Sequence, residues 1–201
     1  MKSFIVEIWR IVFLWLLRIT PYGLLSLRFK FSHGGVDAWV LGHFLLALLG
    51  WLFLPINNCV VIGKIVGCYA AWRIVEIVVY QINVILFDPF PTSNDALLSY
   101  RRSVLLAMQT FLEVFFWFAA IYKIFADRFE HADILRNLDG SLYFSAVTMA
   151  TVGYGDITPL RTSTLGHLIV VSHIGVGFFL TVVVIARFIS LLPKPKTMTD
   201  D

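Results

Sequence analysis

The chain has 201 residues, of which 59% are hydrophobic and 14% charged, against about 45–50% and about 25% in soluble domains. That balance excludes an ordinary soluble enzyme core and defines an integral membrane protein. The net charge of +3 comes from Lys and Arg gathered near the ends of apolar runs, a juxtamembrane pattern rather than a nucleic-acid surface.

The first element, Phe4 to Leu27, is interrupted by Arg10, Arg18, Pro21 and Gly23. With Lys2, Arg28 and Lys30 also basic, Phe4–Leu27 is expected to lie as an amphipathic helix on the cytoplasmic interface within an N-terminal segment 1–36, a membrane span being the competing reading. No cleavage pattern of a secretory signal follows it.

Residues 37–102 hold two apolar runs, Asp37 to Leu54 and Cys59 to Phe87, each near the roughly 20 residues that cross a bilayer core. The turn Pro55-Ile56-Asn57-Asn58 makes them a transmembrane hairpin with its tip outside. Asp88-Pro89-Phe90-Pro91 ends the second helix, because proline cannot continue the hydrogen-bond ladder. Cys59 and Cys68 have no metal or disulfide spacing and are expected to be buried free thiols.

Charged groups in such runs are costly and are functional candidates. Arg73 and Glu76 lie one turn apart on one helix face, and Glu113 and His43 fall at similar depth on neighbouring runs. The expected role of the cluster is to fasten the hairpin to the rest of the protein; a charge-dependent sensor is the sharper alternative. No helix carries the repeated Arg or Lys of a voltage sensor.

Further on come an apolar run from Ser103 to Ala126, a polar stretch Asp127 to Asp139, a short helical stretch Ser141 to Ala150, and a last run Leu165 to Leu192. Between the last two runs stands Thr151-Val152-Gly153-Tyr154-Gly155-Asp156. Together with Thr148, Met149 and Ala150, this segment resembles the pore loop of tetrameric potassium channels at nearly every position. The resemblance covers residues 103–192, and none is recognised upstream.

It implies an outer helix, a re-entrant pore helix and filter, and an inner helix, in an all-α membrane protein. Rings of carbonyl oxygens from Thr151, Val152, Gly153 and Tyr154 would hold K⁺ in place of water, with Gly155 completing the filter. Gly153 and Gly155 would supply left-handed backbone conformations. Thr148, Tyr143 and Asp156 would support the filter, Tyr143 by reaching Asp156. Val147 stands where some relatives carry a buried Glu, so the Glu–Asp pair of those relatives is missing. Gly175 and Gly177 match the place of a gate hinge, with close helix packing the competing reading. His173 is either a cavity-lining residue or a packed one.

One filter per chain implies a homotetramer in a cell membrane, with K⁺ as permeant ion and no cofactor, enzyme activity or nucleic-acid partner. Arg101, Arg102, Lys194 and Lys196 mark the cytoplasmic side, and residues 193–201 are expected to be a short tail without a fused gating domain. The runner-up readings are a transporter-type subunit and a regulatory membrane subunit that needs a partner. The gating stimulus and any auxiliary protein are open.

Overall fold

The structure, a computed structural model, describes residues 4–26, 28, 33–53, 60–86 and 96–190. The 55–58 turn, Cys59, the 88–91 helix stop and the 193–201 tail lie outside the described residues. Among the described residues eight α-helices follow one another: α1 (Phe4–Ile19), α2 (Pro21–Ser26), α3 (His33–Phe53), α4 (Val60–Leu86), α5 (Ala96–Ile124), α6 (Ala132–Arg136), α7 (Leu138–Met149) and α8 (Thr164–Ser190). A 3₁₀ turn, Ala126–Arg128, links α5 to α6. The chain is an all-α, multi-pass membrane protein. Parts of α3, α5 and α8 are long and apolar enough to cross a bilayer; α4 carries Lys64, Arg73 and Glu76 and is not among them.

The centre of the fold is α5. Of its apolar span 56% is buried, against 22% for α3 and for α8. Its small residues Ala107, Ala119 and Ala120 are almost wholly covered, which allows the close helix approach that membrane interfaces favour. Along one flank, α3 runs parallel to α5. Arg102 forks onto Asp37 with contacts of 3.0 and 2.7 Å at one end, and Lys123 donates to the Trp51 carbonyl at 2.9 Å at the other. Lys123 thereby satisfies a carbonyl that the end of α3 leaves open.

Along the other flank α4 runs antiparallel. Gly67 faces the Phe125 ring near the end of α5, Arg73 meets Glu113 at mid-helix, and Gln81 donates to Thr110 at 3.2 Å. The expected hairpin thus has its two arms leaning chiefly on α5 rather than on each other. They touch where His43 Nε2 and Tyr69 Oη lie 2.7 Å apart. Cys68 is exposed, a correction to the expected burial. Ala70, Ile74 and Ile77 fix the inward face of α4, and Cys68 sits off that stripe.

The N-terminal element is bent at Thr20. Its hydroxyl accepts from the Gly23 N–H at 3.2 Å, a helix N-cap with Pro21 in the first helical position. A Cβ at Gly23 would lie 1.8 Å from the Leu17 carbonyl oxygen, so this bend requires glycine. The bend is not confined to a surface: the Tyr22 N–H donates to Glu76, midway along α4. Most of α1 stays exposed, Phe4, Trp9 and Trp15 included.

Candidate ion-conducting loop

The short helix α7 is positioned by a stripe of hydroxyls spaced four and three residues apart. Ser141, Ser145 and Thr148 are all buried. Trp51 Nε1 donates to Ser141 Oγ at 3.0 Å, and Ser145 Oγ donates to the Phe115 carbonyl at 2.8 Å. Each bond ties α7 to α3 or α5. At its start a Cβ on Gly140 would lie 2.2 Å from the Ile134 carbonyl oxygen, so only glycine lets α6 and α7 meet so closely.

The carbonyl end of α7 feeds directly into the loop. The Thr151 N–H donates to Thr148 O at 3.1 Å, and the Val152 N–H to Val147 O at 3.0 Å. From there the backbone alternates in hand: φ is +56° at Thr151, +57° at Gly153 and +77° at Gly155, while Val152 and Tyr154 stay at negative φ. Alternation of hand is the backbone habit that lets successive carbonyls turn to one side of a ribbon. For β-branched Thr151 the left-handed region is an outlier, costing about 1–3 kcal/mol, and such strain persists only where surroundings enforce it.

Beyond Gly155 the chain is braced. Tyr143 Oη donates to Asp156 Oδ2 at 2.7 Å. That bond to the carboxylate raises the phenol's pKa above its ordinary value, so the donor stays protonated through neutral pH. An isolated bridge pairs Phe129 with Pro159; the Glu130 N–H donates to Thr158 O at 2.8 Å and the Leu160 N–H to Arg128 O at 2.9 Å. The exit of the loop is therefore anchored to the polar segment after α5.

Of the residues singled out from the sequence, Thr148, Tyr143 and Asp156 lie around the loop. The two glycines of α8 differ. A Cβ at Gly175 meets nothing within 4 Å, whereas one at Gly177 would press on Met149 at 3.2 Å, so Gly177 packs α8 onto the end of α7. His173 is buried and bonded to Tyr122, not cavity-lining. Reasoning from sequence missed Ser141, Ser145, Trp51 and Tyr122; the regular spacing of the α7 hydroxyls was the available signal.

Away from the loop, Arg73, Glu76 and Glu113 form one buried ion cluster. Arg73 Nε donates to Glu113 Oε1 at 2.7 Å and Nη2 to Oε2 at 3.1 Å, while Nη1 pairs with Glu76. Trp117 Nε1 adds a bond to Glu113 at 3.2 Å. His43 stands beside it: its Nδ1 faces the Trp39 carbonyl at 2.8 Å, which leaves Nε2 to accept from Tyr69.

A helical membrane protein whose short buried helix ends in a backbone-lined loop has the plan of an ion channel. Residues 104–194 match the family model described as ion channel, and the chain belongs to that family. Over 95 residues it is 30% identical to Protein LctB of Bacillus caldotenax, a match covering 42% of this chain and 69% of that relative. No solved structure matches the chain.

Proposed function

We propose that the chain is the subunit of a homotetrameric, potassium-selective channel, with the Thr151–Gly155 loop as its filter. The observation that carries this reading is the alternating backbone of a Thr-Val-Gly-Tyr-Gly segment. That habit lets carbonyls turn to one side, and it spends strain on Thr151. Four copies around an axis make stacked rings of carbonyl oxygens from Thr151, Val152, Gly153 and Tyr154, which replace the hydration shell of K⁺.

Exposure supports assembly. In the single chain Tyr154 is 70% and Val152 52% exposed, and neighbouring subunits would cover them. The carbonyl end of α7 points at the inner mouth, where a helix's negative pole favours a cation. Tyr143 and Asp156 hold the outer end. The end of the bundle that carries Arg102 and Arg187 faces the cytoplasm, and conduction is passive, without a voltage-sensor helix.

Purified protein in liposomes tests the reading. Reversal potentials under opposed K⁺ and Na⁺ gradients should follow the K⁺ equilibrium potential. Equal permeation of the two ions, or no current from the protein alone, overturns it.

A further inference from the structure

Along the half of the bundle nearer the loop, an apolar cavity of about 570 Å³ separates α4 from α8. Gly67, Cys68 and Ala71 line one side, Leu168, Ser172 and Gly175 the other. A Cβ at Gly175 meets nothing within 4 Å, so α8 lacks close support at that glycine. Toward the opposite end the two helices are joined by polar groups. Arg187 Nη2 donates to Gln81 Oε1 at 3.2 Å, and Gln81 Nε2 donates to Thr110 Oγ1 of α5 at 3.2 Å. Thr110 turns its own hydrogen to the carbonyls of Leu106 and Ala107, each at 3.0 Å.

These partners fix which way the amide faces. A guanidinium only donates, and the one hydrogen of Thr110 is already committed, so Oε1 meets Arg187 and Nε2 meets Thr110. Gln81 and Thr110 are buried, and a buried amide in a membrane span is costly unless its bonds are made. An arginine in the last turn of a span ordinarily reaches water and complements the negative end of its helix. Neither task needs a buried glutamine on another helix. The pairing instead ties the far end of α8 to α4, and through Thr110 to α5.

We propose that the Gln81–Arg187 bond is a latch on α8: it holds the far end of the helix in the observed arrangement, which is the shut one, against a swing about Gly175 that opens the pore. This rests on the potassium-channel reading. At the rise of about 1.5 Å per residue, Arg187 lies about 18 Å beyond Gly175. A kink of about 20° at the glycine carries the Arg187 backbone about 6 Å, twice the length of the bond it must keep. The latch touches neither the loop nor α7, so its release changes how often the pore opens and not which ion passes.

Single-channel recording from purified tetramers in lipid bilayers compares the wild type with Gln81→Leu, Gln81→Glu and Arg187→Met under opposed K⁺ and Na⁺ gradients. Gln81→Leu removes the acceptor. It should raise the ratio of open to closed time about threefold to tenfold, the factor one hydrogen bond commands, with the K⁺/Na⁺ permeability ratio unchanged. Arg187→Met keeps an unbranched stem without the donor, should act alike, and carries the comparison if Gln81→Leu does not assemble. Gln81→Glu sets a carboxylate against the guanidinium, a stronger bond, and should bring the open-to-closed ratio below that of the wild type. A ratio no higher than wild type in Gln81→Leu or in Arg187→Met, or a Glu variant that opens as often as the Leu variant, overturns the latch. A wild type that fails to prefer K⁺ instead overturns the channel reading, and the latch falls with it.

Discussion

At the residue scale, the loop separates glycines needed for backbone hand from glycines needed for space. A Cβ at Gly153 meets nothing within 4 Å, but its φ of +57° resists any L-residue. Gly153→Ala should therefore strain the loop by about 1–2 kcal/mol while leaving the helices intact. The expected outcome is a tetramer on gel filtration with its K⁺/Na⁺ permeability ratio lost; an Ala variant with normal selectivity would refute the filter assignment. Tyr143→Phe removes the bond to Asp156 from an exposed position, where stability changes usually stay within about 0.5 kcal/mol. Its effect should instead be faster decay of a sustained K⁺ current. The glycine pattern was legible because Gly153 and Gly155 alternate with larger residues. The left-handed Thr151 was not, since nothing in a threonine announces that its surroundings will hold it there.

At the element scale, the sequence located helices well and misjudged what they lean on. Apolar runs located α3, α4 and α8 within a few residues, because bilayer thickness sets their length, whereas α5 begins at Ala96, ahead of the expected Ser103, because its first turns are not part of the apolar run. Which helix would be central could not be read that way, since periodicity marks an apolar face without naming its partner. The packing of Ala119 and Ala120 against α3, and of Gly67 against Phe125, settles it. The two glycines of α8 show the same limit. Gly177→Ala should displace Met149, met at 3.2 Å, and lower the melting temperature of the tetramer. Gly175→Ala has open space and gains about 1 kcal/mol of helix propensity. It should stiffen α8, and single-channel records should show a lower open probability if the helix bends there. An unchanged open probability would remove Gly175 as the hinge.

At the scale of the whole molecule, α4 and the α1–α2 bend are fastened to the conducting part through buried charge. One guanidinium serves two carboxylates, and Trp117 and the Tyr22 N–H supply further donors. Breaking a buried pair on one side typically costs about 3–5 kcal/mol in soluble proteins, whereas polar contacts in membranes often count for less. Arg73→Leu strands both Glu76 and Glu113 and should lower tetramer stability clearly. Glu113→Gln keeps hydrogen-bonding capacity toward Arg73 and Trp117 and should be milder. Because the forked contact joins Arg73 to Glu113, the double variant should recover part of the Arg73→Leu loss, a coupling in the range of about 0.5–3 kcal/mol expected for residues in contact. Thermal melting of the four proteins measures that coupling. Strictly additive losses would mean that Glu113 does not carry the attachment, and that the α1–α2 bend is held by Glu76 with Arg73 alone.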